Sequence, residues 1–289
     1  MWINKIKTAV LLASLSGLFL FIGHLFGGTT GLHIALVLGL LFNGLAYFFS
    51  EQIVLSMYNA HPLDTIKYAW IHDMVRELAH TMKLPMPKLW IINTPMANAF
   101  ATGRNPHHAS VAVTTGILHI LNKDELRGVL AHELSHIKNR DILVGTVAAT
   151  LATAIGYLAQ MMQWAALWGN YNTDDKKKNG NPFFMLFVAI LMPIAASLIQ
   201  LAISRSREYL ADETGAHACK DPWALASALE KLQAHIPHAH MRNDDTQHAG
   251  TAALFIVYPF TADGWISLFS THPPMKQRIA KLRSMKKCF

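Results

Sequence analysis

Four long apolar runs limit what this chain can fold into. The first spans roughly 8–28 (TAVLLASLSGLFLFIGHLFGG) and the second roughly 31–49 (GLHIALVLGLLFNGLAYFF); neither holds an acidic or basic residue beyond one histidine each. The third covers roughly 142–168 and the fourth roughly 183–203. About 20 apolar residues carry a helix across a bilayer core, and a lipid-exposed segment must satisfy its own backbone, which a helix does. Charged residues make up only 15% of the 289, against about 25% in an average soluble domain. A cleaved signal peptide, with Lys5 and Lys7 as its basic end, is the competing reading of the first run. The run is long for that, and a second apolar run follows directly after GGTTG, so a transmembrane hairpin is expected.

The runs divide the chain into four parts: a hairpin over 1–50, a polar part over 51–142, a second hairpin over 143–203 and a polar part over 204–289. Lys5 and Lys7 place the N-terminus in the cytoplasm, and four crossings return both polar parts to that side. Lys176, Lys177 and Lys178 oppose this orientation, because it puts them outside. A second hairpin that dips into the bilayer without crossing is the alternative, and it also leaves the polar parts together. The formal charge of +7 suits an anionic membrane surface. No nucleic-acid-binding signature accompanies it. The two cysteines, Cys219 and Cys288, form no CxxC pair, which argues against a disulfide framework or a cysteine zinc knuckle and fits a reducing compartment.

Within 51–142, Ile71, Met74, Val75, Leu78 and Met82 recur at helical spacing in 64–82. Three short pieces, KLWIIN (88–93), ANAFATG (97–103) and SVAVTTG (110–116), are β-branched or aromatic and separated by turn residues, so a small antiparallel sheet is expected. Asn122 with Glu125 three residues on predicts a capped helix start. That helix carries VLAHELSHIKNRD (129–141). His132 and His136, four apart, share a face, and Glu133 sits beside them, within reach of a water activated by a metal. With 16 histidines and seven glutamates in the chain, the pattern arises by chance about 0.02 times. Leu126, Val129, Leu130 and Ile137 supply apolar packing around it.

A catalytic zinc takes three protein ligands and leaves a position open. In SRSREYLADETGA (204–216), Glu208 and Asp212 are again four apart. Glu208 suits a ligand and Asp212 a carboxylate accepting the second ring N–H of His132. On spacing alone, Glu208, Arg205 and Arg207 serve equally well as membrane-flanking charges.

HELSH, the downstream SRSREYLAD, the NAFATG segment and LFSTHPPMKQRI (268–279), in this order between apolar runs, resemble the HtpX-type membrane zinc metalloproteases of peptidase family M48. The resemblance covers nearly the whole chain. It implies an α+β membrane protein, predominantly α-helical, with about four transmembrane helices and a cytoplasmic gluzincin-like catalytic domain. It implies one Zn2+ per chain on His132, His136 and Glu208, with Glu133 as general base. It also favours a substrate-binding role for the strand Asn98, Ala99, Phe100, Ala101, Thr102 and Gly103, though Phe100 itself suits the core. His272 and Arg278 are candidates for stabilising the tetrahedral oxyanion, with Arg278 also able to pair with Asp212 or neighbouring carboxylates and a plain turn competing at His-Pro-Pro. His235, His238, His240 and His248 suit a solvated loop better than a second metal site.

The activity so implied is cleavage of misfolded or damaged membrane proteins, or of unfolded polypeptide, at the cytoplasmic face of the bacterial inner membrane as quality control under stress. The competing readings are a CaaX-type prenyl-protein endoprotease, which has more spans, and an inactive membrane scaffold with a structural zinc. Cysteine commonly completes a structural site, and none lies near.

Overall fold

The computed structural model of the chain describes residues 2–147, 205–235 and 274–285. The third and fourth apolar runs, apart from 142–147, and His272, His238, His240 and His248 lie outside these residues, as does Cys288.

Helix α1, Trp2–Met57, holds both N-terminal apolar runs and breaks at Gly28 (φ 55°, ψ −137°), a conformation that suits a residue without a Cβ. Asn43 Nδ2 donates to Ser16 Oγ at 2.7 Å across this break. In a straight helix the two residues would stand about 40 Å apart, so the chain folds back at Gly28. Among the described residues, Gly28–Leu45 alone is long and apolar enough to cross a membrane. Val37 and Leu40 stand 65% exposed, an apolar face suited to lipid.

The second arm of α1 continues past the apolar run and packs on a four-stranded sheet, order β1-β2-β4-β3. Its strands are β1 (His61–Pro62), β2 (Lys88–Ile92), β3 (Ala99–Asn105) and β4 (His108–Thr114). Alternation sends Ala99, Ala101, Val111 and Val113 to the main core, while Ile92, Phe100 and Ala112 meet Val54 and Leu55 of α1. Phe100 is accordingly a core residue, stacked near Tyr58. A buried polar chain reinforces this joint: Trp90 Nε1 donates to Ser110 Oγ at 2.9 Å, and Ser110 Oγ donates to Glu51 of α1 at 2.7 Å.

The sheet is mixed, not antiparallel as the short strand pieces suggested. β3 and β4 form an antiparallel hairpin, but β2 and β4 run parallel. The cause is the route of the β2–β3 connection, which passes over the end of β4 and delivers β3 to the outer edge. Thr114 and Asn98 exchange backbone and side-chain hydrogen bonds of 2.9–3.1 Å to hold that crossing. Gly116 lies beneath it, where a Cβ would sit 2.2 Å from the Pro95 carbonyl oxygen.

On the sheet's other face lie α2 (Ala69–Met82), α3 (Thr115–Ile120) and α4 (Lys123–Lys138). Beyond the undescribed segment, α5 (Arg205–Cys219), α6 (Pro222–Ala234) and α7 (Met275–Ser284) complete the body. The helix α2 starts at Ala69, later than the apolar spacing suggested, because Asp64 Oδ1 accepts from Ile66 and Lys67 and holds 64–67 in a turn. Leu126, Val129, Leu130, Leu134 and Ile137 of α4 are at most 1% exposed. Each contributes roughly 1.5–3 kcal/mol by burial, so α4 is the central post of the core.

Candidate metal centre

The start of α4 is fixed by the capping box that its sequence predicts. Asn122 Oδ1 accepts from Glu125 N–H and Glu125 Oε2 accepts from Asn122 N–H, both at 2.9 Å. The Glu125 carboxylate also takes Lys231 Nζ at 2.8 Å and Ser227 Oγ at 2.7 Å, which binds α6 to the same turn. Burial works against its charge, but these partners outweigh burial and hold it below the usual glutamate range.

Two turns on, His132, Glu133 and His136 are placed by helix geometry alone. Across from them α5 presents Glu208, Ala211, Asp212 and Gly215, spaced i, i+3, i+4, i+7 on one buried face. Gly215 permits this approach: a Cβ there would lie 2.9 Å from the backbone nitrogen of His132. The two helices thus bring three donors together. His132 Nε2 and His136 Nε2 are 3.2 Å apart. Glu208 Oε2 is 3.8 Å from the first and Glu208 Oε1 3.6 Å from the second.

Two nitrogens bound to zinc at about 2.0–2.1 Å with a tetrahedral angle stand roughly 3.3 Å apart. The donor set and its spacing therefore fit a zinc ion held by His132, His136 and Glu208. It is the one group of three or more metal-capable side chains found among the described residues.

The ring nitrogens facing away from the donor cluster also have partners. His132 Nδ1 lies 3.0 Å from Asp212 Oδ1, at hydrogen-bonding distance although its N–H does not aim squarely at that oxygen. Arg278 of α7 already grips it. Nη2 donates to Asp212 Oδ1 at 2.7 Å and Nε to Oδ2 at 2.8 Å, while Nη1 lies 3.5 Å from Glu208 Oε2. Burial opposes the Asp212 charge, but the Arg278 guanidinium overrides it and holds the carboxyl down to about 2. Arg278 is fully buried, with its own proton bound more tightly than usual by these carboxylates.

His136 Nδ1 faces Asp141 Oδ2 at 3.1 Å, a partner that helical periodicity did not reveal. Burial disfavours a charged ring, yet the Asp141 hydrogen bond and charge raise His136 to about 9 among these groups alone.

Glu133 points the other way along α4, toward the sheet. Its Oε2 accepts the Ala101 N–H at 3.0 Å, and burial, with Glu208 nearby, pushes its carboxyl above the ordinary range. The strand carrying Asn98 to Gly103 is the sheet's outer one, and Ala99, Ala101 and Gly103 turn their peptide groups away from β4. Thr146, in the first turns of the helix that begins at 142, accepts the Gly103 N–H at 3.3 Å. His235 ends α6, its Nδ1 bonded to the Lys231 carbonyl at 2.7 Å.

Two imidazoles from a His-Glu-x-x-His helix, answered by a carboxylate from a second helix beside a small sheet, define a metallopeptidase. The comparisons agree. The profile of peptidase family M48 matches residues 65–286. Proteins described as protease HtpX homologs match along almost the full length. That of Syntrophobacter fumaroxidans is 51% identical, covering 98% of this chain and 99% of its own. That of Aquifex aeolicus is 49% identical over 93% and 89%, and that of Pyrococcus furiosus 48% over 97% and 95%. The crystal structure of S. mikatae Ste24p shares the fold at a TM-score of 0.50 with 19% identity, covering 97% of this chain and 66% of that one. The chain belongs to peptidase family M48 and is a membrane-associated metalloprotease.

Proposed function

We propose that this protein is a zinc endopeptidase cutting misfolded or damaged membrane proteins at the cytoplasmic face of the bacterial inner membrane. The observation that carries this reading is the convergence of His132, His136 and Glu208 within 4.8 Å, with Glu133 adjacent and facing the sheet's outer strand. Zinc, when bound, supplies a Lewis acid that polarises the scissile carbonyl and acidifies water. The remaining work falls to the chain. Buried Glu133 has a raised proton affinity, which suits a base that takes a proton from the attacking water and passes it to the leaving amine. Asp212 fixes the tautomer of His132, and Arg278 keeps Asp212 charged. The edge of β3 offers main-chain hydrogen bonds to an extended substrate, a mode tolerant of substrate sequence and suited to unfolded targets. The basic N-terminal Lys5 and Lys7 support the cytoplasmic orientation.

The test is zinc stoichiometry and cleavage-site mapping on casein, wild type against Glu133→Ala, in detergent. We expect one zinc per chain in both and a loss of turnover of roughly 10²–10⁴-fold in the variant. Full activity in Glu133→Ala would remove the base from this account, and no zinc in the wild type would remove the metal.

A further inference from the structure

Between Lys7 and Glu51 the chain carries no Asp, Glu, Lys or Arg. The apolar window Gly28–Leu45 holds 18 residues, about 27 Å of helix, close to the roughly 30 Å of a bilayer's hydrocarbon. Along the same axis Phe48 stands about 4.5 Å beyond the window and one turn short of Glu51. Headgroups add about 5–8 Å on each side of the hydrocarbon, so Phe48 falls at their depth.

The guanidinium of Arg104 lies over the Phe48 ring, 5.5 Å from its centre. Arg104 stands at the end of β3, where the strand turns into β4. That turn is braced by Asn105, whose Oδ1 accepts the N–H of His107 at 3.0 Å and of His108 at 3.1 Å. The first turns of the third apolar run reach the same hairpin: Thr146 accepts the Gly103 N–H at 3.3 Å, and the hydroxyls of Thr102 and Thr146 lie 3.1 Å apart. On β2, exposed Lys88 has its Nζ 3.7 Å from Glu51 Oε1, one turn past Phe48. From Leu78 to Lys123 the sequence contains no acidic residue, and among the described residues no carboxylate lies within 4.0 Å of Arg104. An unneutralised guanidinium thus stands at the depth of lipid phosphates, whose geometry its donor fork matches.

We propose that the β3–β4 turn docks on the headgroup layer of the membrane, with Arg104 binding the phosphate of an anionic phospholipid and Lys88 adding positive charge beside it. Ala101, whose N–H meets Glu133, lies on the same strand about 10 Å from Arg104. The contact therefore sets the height at which the catalytic residues stand above the bilayer. It goes beyond the protease reading and needs only that the second arm of α1 crosses the membrane.

The experiment places a bimane label at His107→Cys, or at Leu40→Cys, in full-length protein carrying Cys219→Ser and Cys288→Ser. The protein sits in nanodiscs of phosphatidylcholine with or without phosphatidylglycerol. The label at 107 should be quenched by a lipid bearing a nitroxide on its headgroup, more strongly with phosphatidylglycerol present. The label at 40 should be quenched by a nitroxide on the acyl chain. Quenching at 107 by aqueous acrylamide and not by the headgroup nitroxide overturns the docking. A label at 40 left bright by the acyl-chain nitroxide removes the crossing itself, a separate failure. In detergent, added phosphatidylglycerol should raise the melting temperature of the wild type. Arg104→Gln should need roughly fivefold more lipid for the same rise, and Arg104→Lys should fall between. An equal response of wild type and Arg104→Gln overturns the role of Arg104, and an equal rise with inorganic phosphate overturns the lipid as its partner. The label at 107 leaves Arg104 in place, so it tests the docking even if Arg104→Gln does not fold.

Discussion

Among the described residues, Arg278 is the largest fully buried side chain and the only guanidinium bonded to Asp212. Its removal leaves the buried Asp212 and Glu208 carboxylates without their shared guanidinium. Breaking one partner of a buried ion pair costs about 3–5 kcal/mol, so Arg278→Met should lower unfolding stability by that amount in denaturant titrations. Arg278→Lys keeps the charge but loses the two-pronged grip on Asp212 and should fall between. Asp212 was only one of several partners open to Arg278, but the His-Glu-x-x-His spacing was readable from residue types and helical period. Asp141 was not, because it lies beyond the helix. Its place beside His136 comes from one left-handed residue, Arg140, and no periodicity reports that. The partner of Glu133, the Ala101 N–H, was equally hidden, since it is a backbone group supplied by another element.

The packing of helices α4, α5 and α6 depends on close approach as much as on apolar area. At Gly215 an added Cβ meets the backbone of α4 and not a movable side chain. Gly215→Val should therefore push α5 away from α4 and withdraw Glu208 from the histidines. Loss of bound zinc with α4 still helical by circular dichroism is the expected outcome. The capping box carries a pH signature. Glu125 is held below its ordinary pKa, so its contribution is present above the unfolded glutamate value of about 4.3 and is lost as pH falls through the lower folded one. The melting-temperature gap between wild type and Glu125→Gln should be widest near neutrality and close below about pH 4. The cap and apolar face of α4 were legible in the sequence as an Asn–Glu pair and a 3.6-residue period. The direction of β2 relative to β4 was not, because it depends on where the loop from 93 to 98 crosses, and strand composition is the same for either route.

Over the whole chain, the contact between Glu208 and the α4 histidines brings the polar part that precedes the third apolar run together with the one that follows the fourth. Engineered cysteines at Asn59 and Lys281, one in each polar part, should be labelled or protected together by an impermeant maleimide in intact cells. Opposite accessibility would break the metal site as described. The four apolar runs and the separation of HELSH from SRSREYLAD predict that shared labelling. The outer margin of the sheet bears on the molecule's own solubility. A row of idle peptide groups is a template on which any extended chain, a second copy included, can add without limit. Glu133 occupies the donor of Ala101 and Thr146 that of Gly103, so the margin grips a few residues and then runs out. The β3 margin is thereby kept from recruiting copies of itself into a fibre along its own β-sheet.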